Sequence, residues 1–251
     1  MDAGLPGCAV VIAGHAPADQ VQRCIDSIGP AKTVVHVAGD PPPPVTPGVT
    51  ALDLGERLGR PAAVNRAVAA VAGDVEFVLV SEPGIVWDEG AVEVLLAAAR
   101  ATPRAGALVP RLRGTTVPAA PGDRLLSRLV AGGGDAAVPG PAALMRRAAL
   151  DSTGGWDARL PVPYADLDLA DRLDAAGWLR VAVPAAEAVR DAVGDIPESA
   201  QERHAGARRL VRARTRGATR AVAGAVLAAR RVVGPRARGS GDVTAPGELC
   251  E

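Results

Sequence analysis

The sequence predicts an α/β fold with a mainly parallel central sheet and helices on both faces, and three observations carry that prediction. Short apolar runs such as Cys8–Ala13 and Val75–Val80 read as strands covered on both sides. Segments with helical apolar spacing lie between such runs, giving the order β-α-β-β-α-β-α over the first hundred residues. The chain has 251 residues, 48% hydrophobic and with formal net charge zero, which is enough for one large α/β domain.

Taken in order, Cys8–Ala13 is the first expected strand. A helix over Pro17–Ile28 follows, with Val21, Cys24, Ile25 and Ile28 on one face. Lys32–Ala38 reads as a second strand, followed by a proline-rich loop through Pro41–Pro44, and Val49–Leu54 as a short third strand. Arg60–Ala72 is a helix of Ala and Val stopped by Gly73, and the next strand, Val75–Val80, runs into Ser81-Glu82-Pro83-Gly84. Asp88 is placed to cap a helix from about Glu89 to Ala101. A strand at Gly106–Pro110 precedes a long Gly/Pro/Ala-rich segment, Gly114–Gly140, containing an amphipathic piece at Arg124–Val130; a segment of that length with little regular structure is usually functional or mobile. Ala142–Ala149 leads into the turn Gly154-Gly155-Trp156-Asp157, and Asp166–Ala176 is a helix with Leu167, Leu169 and Leu173 as its apolar contacts, closed by Gly177. Leu179–Val183 is the last expected strand. These elements place one domain over residues 1–200, a basic Arg/Ala helix from about Glu198 to Val233, and a tail at 234–251 whose composition predicts disorder.

Composition narrows the classes of function. Three cysteines, Cys8, Cys24 and Cys250, are odd in number and without metal-like spacing, so buried thiols are expected rather than zinc or a disulfide framework. No apolar run reaches the roughly 20 residues that span a bilayer, and no signal-peptide pattern is present; the expected location is cytoplasmic. The zero net charge hides an asymmetry: eleven arginines and three acids follow Glu202, leaving 25 acids against 17 Lys and Arg in residues 1–202. From Arg203 to Arg238 there is no acid at all, which suits a helix lying on an anionic membrane surface or packed on the domain with its arginines in solvent. Nucleic acid is not expected, because aromatic stacking platforms are missing.

Several segments, in order, resemble the inverting nucleotide-sugar glycosyltransferases of family 2, which have the GT-A fold. Val10-Val11-Ile12-Ala13-Gly14-His15 resembles their first strand and donor loop, and "GRPAAVNRAVAAVAGD", Gly59–Asp74, their Asn-containing helix, with Asn65 at the Asn. "VPRL" at Val109–Leu112 and "GPAALMRRAAL" at Gly140–Leu150 resemble the segments flanking the acceptor region. "GGWDARLPVPYADLDLADRLDAAGW", Gly154–Trp178, resembles the block that carries the general base. Together they cover roughly residues 8 to 190.

The resemblance implies transfer of a sugar from a nucleotide-sugar donor to a hydroxyl acceptor with inversion. A carboxylate acts as base, and Mg²⁺ or Mn²⁺ usually meets the diphosphate charge. It maps the base to Asp166, which also stands where an N-cap would. Asp168 and Arg172, four apart on one helix, suit a simple side-chain pair. It maps donor contacts to Gly14, His15, His36, Asn65, Ser81, Glu82 and Arg190, and the acceptor side to Gly155, Trp156 and Asp157. At the metal motif the chain reads Ser81-Glu82-Pro83, so Glu82 is the one carboxylate left to a metal and Pro83 offers no ligand. His36 stands where the family has an Asp, and Arg190 where it often has a His. The expectation is weak metal dependence or none, with Arg190 taking over the metal's electrostatic work. Acceptors in the family are often lipid-linked or cell-envelope glycans, which would place the chain peripherally on the inner membrane face. The alternative is a GT-A domain whose donor site has decayed and which holds a partner in glycoconjugate assembly.

Overall fold

The structure, a computed structural model, describes residues 7–31, 33–38, 48–56, 58–71, 73–114, 137–162, 164–191, 200–215 and 222–227, together with Leu5 and Pro42. Its elements run β1 (Cys8–Ala13), α1 (Ala18–Ile28), β2 (Val34–Ala38), β3 (Thr50–Asp53), α2 (Arg60–Ala70), β4 (Phe77–Ser81), β5 (Ile85–Trp87) and α3 (Ala91–Ala101). They continue with β6 (Ala105–Gly114), β7 (Ala142–Arg146), α4 (Arg147–Thr153), α5 (Tyr164–Ala175), β8 (Leu179–Arg190) and α6 (Ala200–Arg214). A further helical piece spans 222–227.

The strands form one sheet in the order β3-β2-β1-β4-β7-β6-β8-β5. The pairs β2–β3, β1–β2, β1–β4 and β6–β8 are parallel, while β4–β7, β6–β7 and β5–β8 are antiparallel. Strand alternation divides the core in two. On one face Val10, Ile12, Phe77, Leu79 and Leu144 pack with Cys24 of α1 and Leu95 of α3. On the other, Val11, Val78, Val80 and Met145 pack with residues of α2, α4, α5 and α6. The two-sided burial expected from the apolar runs is realised: every residue of β1 and β4 is buried.

The chain moves from β1 outward to β2 and β3, then returns through α2 to β4 on the other side of β1. Strand order therefore reverses between β1 and β4, and the crevice beyond their carboxyl ends is where an open α/β sheet binds ligands. Ile12 of β1 sits beside Ser81 of β4, so the loops starting at Gly14 and Glu82 share that crevice.

Several expectations need correction. Asp88 does not cap α3: the N-cap is Gly90 at φ 76, and the Asp88 carboxylate accepts from Arg113 Nη2 at 2.7 Å instead. Asp166 is not an N-cap either, since α5 starts at Tyr164 and Asp166 lies inside its first turn. The sequence reading has no counterpart for β5 or α4, and β8 runs seven residues past Val183 to Arg190. The long basic helix is interrupted. α6 ends at Arg214, and Thr215, buried, donates Oγ1–H to Val211 O at 2.6 Å. Ala207, Leu210 and Val211 of α6, with Ala223 and Leu227 beyond it, bury themselves in the α2–α5 face. Gly206 permits the close approach of α6, because a Cβ there would lie 2.2 Å from Pro161 Cδ. The proline-rich loop apart from Pro42, the Arg124–Val130 piece with the rest of 115–136, and the tail at 234–251 lie outside the described residues.

Candidate active site

At the mouth of the crevice four charged side chains form one buried row. Asp166 donates nothing and accepts twice: Trp156 Nε1–H reaches its Oδ1 at 2.9 Å, and Arg60 Nη2–H reaches its Oδ2. The Arg60 Nε lies 3.4 Å from Glu82 Oε1, and Arg60 Nη1–H donates to Gly140 O at 3.2 Å. Arg190 Nη2–H then donates to Glu82 Oε2. The Arg60 side chain is 1% exposed, those of Asp166 and Glu82 5%, and that of Arg190 12%. Charge is balanced along the row, two guanidiniums against two carboxylates, as burial of ions requires.

Local chain geometry brings these groups together. Glu82 follows directly on β4, held by its own N–H to Pro141 O at 2.9 Å. The turn after it feeds β5, whose Ile85 pairs with Arg190 at the end of β8. That short pairing carries Arg190 to the mouth. Asp166 comes from the first turn of α5 and Arg60 is the first residue of α2. A carboxylate suits a helix N-terminus, whereas a cation there is disfavoured by the helix dipole. Arg60 was not among the residues singled out in the sequence. The local signal was only an arginine opening a helix right after Gly59 with no acid in the first turn, a placement the helix dipole disfavours.

The remaining expected residues fall into three groups. Asn65, Gly155 and Trp156 form a clamp: Asn65 Nδ2–H donates to Trp156 O at 2.7 Å, and Trp156 N–H to Asn65 Oδ1 at 3.0 Å. Gly155 sits at φ 70, and a Cβ there would be 2.5 Å from Asn65 Oδ1, so the clamp demands glycine. Asn65 thus fixes the backbone of the residue whose indole orients Asp166. Asp157, next in the chain, turns away to accept from Arg159 N at 3.0 Å and Nε at 2.8 Å, and Arg159 holds its carboxyl below the usual range.

A second group faces the opposite side of the sheet. Ser81 is buried there, accepting from Trp87 Nε1 at 3.2 Å and 3.5 Å from Cys24 Sγ. His36 is fully buried, donating Nε2–H to Gly14 O at 3.1 Å, and burial pushes its pKa down. It supports the β1–α1 loop from beneath. The third group, Gly14 and His15, forms that loop at the crevice mouth, with His15 partly exposed. Asp168 and Arg172 pair at 2.7 Å as expected, and Arg172 Nη1–H also holds Thr153 O at 2.5 Å. Burial raises the thiols of Cys8 and Cys24 to about 11 and about 12, which leaves them protonated and unreactive; Cys250 lies outside the described residues.

A divalent cation fits this donor set poorly. The residue after Glu82 is Pro83, and a guanidinium lies on each Glu82 oxygen, so a metal there would face two cations at contact range. No cluster of three or more His, Cys, Asp or Glu suited to a metal occurs among the described residues.

No protein-family model matches the sequence. The chain is 34% identical over 178 aligned positions to the N-acetylglucosaminyl-diphospho-decaprenol L-rhamnosyltransferase of Mycobacterium tuberculosis, covering 56% of this chain and 58% of that one. The chain therefore spans little more than half the length of this curated relative. Among solved structures it is similar to a mannosyltransferase from Pyrobaculum calidifontis in complex with GDP-Man and Mn²⁺, with TM-score 0.57 at 18% identity over 92% of this chain and 76% of that chain. It is also similar to GalNAc-T7 with UDP, GalNAc and Mn²⁺, with TM-score 0.60 at 13% identity over 82% of this chain and 48% of that chain. By fold the chain is a GT-A protein.

Proposed function

We propose that this chain transfers a glycosyl group from a nucleotide-sugar donor to a hydroxyl acceptor with inversion, and that Asp166 is the general base. The observation that carries the reading is the placement of Asp166: a carboxylate at the ligand crevice, oriented by an indole and a guanidinium. In the reaction the acceptor O–H gives its proton to Asp166 as its oxygen bonds to the sugar C1. The bond from C1 to the diphosphate oxygen breaks on the opposite face, and the nucleoside diphosphate carries away that electron pair. The Trp156 and Arg60 contacts hold the Asp166 carboxylate in its orientation, and the acceptor must approach where one of them yields. The Asn65–Trp156 clamp holds the indole in place for this.

The relative's name, an N-acetylglucosaminyl-diphospho-decaprenol L-rhamnosyltransferase, supports a lipid-diphosphate-linked sugar as the acceptor. No helix among the described residues is long and apolar enough to cross a membrane. Peripheral docking through α6 suits the geometry, since Arg208, Arg209 and Arg212 are exposed opposite its buried Ala207, Leu210 and Val211. The test of the reaction is release of nucleoside diphosphate from UDP-, GDP- and dTDP-sugars by the full chain, compared with Asp166→Asn. Release that disappears in the variant supports the reading. Absence of donor binding and turnover for every donor would instead favour a scaffold built on a GT-A domain.

A further inference from the structure

We infer that the Glu82–Arg190 pair is a metal-free diphosphate cradle: Arg190 contacts the leaving diphosphate where a GT-A site usually presents a divalent cation, and Glu82 and Arg60 position it. The inference rests on the glycosyltransferase reading above and concerns the same crevice. Three observations carry it. Glu82 stands at the end of β4, at the reversal of strand order, yet both its oxygens face guanidiniums rather than open space. Arg190 is the more exposed of the two cations at 12%, and its Nε is buried without a hydrogen-bond partner among the described residues. A planar guanidinium offers five N–H donors, so one bond to Glu82 leaves others for phosphate oxygens.

The third observation is how firmly Arg190 is held. Its backbone is pinned between β5, through Ile85, and the end of β6, through Gly114, where a Cβ would lie 2.5 Å from the Arg190 carbonyl oxygen. Its head group is fixed by Glu82, and Glu82 is fixed in turn by Arg60. A cation organised before the reaction stabilises charge as it develops on the departing diphosphate, with little reorganisation. Glu82 and Arg60 are positioning residues in this scheme. The carboxylate that would ligate a metal elsewhere here orients a guanidinium.

The test is calorimetric binding of UDP, GDP and dTDP to the full chain, in EDTA and with Mn²⁺, with thermal unfolding as a check on folding. The inference expects one nucleoside diphosphate to bind in EDTA with an affinity that Mn²⁺ leaves unchanged. Arg190→Lys, which keeps the charge but loses the fork, weakens that binding roughly 10- to 100-fold. Glu82→Gln, which loosens the hold on the Arg190 head group, lowers the affinity while leaving it indifferent to Mn²⁺. Binding that requires Mn²⁺ and vanishes in Glu82→Gln overturns the cradle and leaves the glycosyltransferase reading standing. Binding in EDTA that is undiminished in folded Arg190→Lys also overturns it. No nucleoside diphosphate binding under either condition overturns the reading on which it rests.

Discussion

Arg60 and Asp166 form a buried ion pair that joins the first turn of α2 to the first turn of α5. The pair offsets an unfavourable arrangement, a cation at the positive end of a helix, with a favourable one, a carboxylate at the start of another. It also ties the candidate base to Glu82 on the sheet, because the same guanidinium lies 3.4 Å from Glu82 Oε1. Removing the cation alone leaves two carboxylates buried together. Arg60→Met is therefore expected to lower stability by about 3–5 kcal/mol in a denaturant titration. Adding Asp166→Leu should recover part of that loss, since the pair disappears as a unit. A single variant that costs less than about 1 kcal/mol would show the pair to be only a surface-like contact.

Asp166→Asn separates chemistry from binding. The amide oxygen can still accept from Trp156 Nε1, while Arg60 retains its approach to Glu82. Transfer should fall about 10²- to 10⁴-fold with donor affinity little changed, measured as kcat and as the donor dissociation constant. Equal loss of both would place Asp166 in donor binding instead of proton transfer.

The frame of the site was legible because it rests on strongly patterned strands: Cys8–Ala13 was read to the residue, and β4 within two. Asp166 and Glu82 were singled out through the order of motifs. Arg60 was not singled out, and Arg190 was named for donor contact and not as the partner of Glu82, for physical reasons. Arg60 meets Asp166 across 106 positions of chain, a separation to which helical and strand periodicity are blind. Arg190 reaches Glu82 because β5, only three residues long, pairs with the end of β8; a strand that short has no readable alternation. Ser81 and His36 were mapped by resemblance to donor contacts. Their side chains nevertheless alternate to the α1 face, where they bond to Trp87 and to the Gly14 carbonyl.

The Asn65 clamp gives a prediction about Gly155. At φ 70 an alanine is strained, and its Cβ would press on Asn65 Oδ1. Gly155→Ala should cost about 1–3 kcal/mol. Asn65→Ala frees that space but loses both bonds to Trp156. The double variant should thus be less destabilised than the sum of the two singles, as read in a double-mutant cycle by thermal unfolding. Strict additivity would mean that the two residues do not share the contact.

The exposed face of α6 predicts lipid dependence. Arg208→Gln, Arg209→Gln and Arg212→Gln together should abolish cosedimentation with vesicles containing anionic lipid, while leaving donor hydrolysis in solution intact. The wild-type chain should be released as salt rises. Equal binding to neutral vesicles, or binding unaffected by the triple variant, would rule out this surface as the docking face.

His36 predicts how stability responds to acid. Its folded pKa is below the ordinary 6.5 because burial disfavours the imidazolium, and its neutral Nε2–H bond to Gly14 O is the form the fold holds. Above 6.5 both folded and unfolded chains carry a neutral ring, so this residue adds no pH dependence there. As pH falls below 6.5, the unfolded state takes up the proton first, and stability declines by up to about 1.4 kcal/mol per pH unit until the folded pKa is reached. The window is separate from that of Asp157, whose lowered pKa gives a stabilisation fully present above 3.8 and lost only as pH falls below it. His36→Gln, which keeps an N–H donor for Gly14 without a titrating group, should flatten the stability profile just below pH 6.5 in denaturant titrations. A slope in that window that survives the substitution would assign the acid sensitivity to another group.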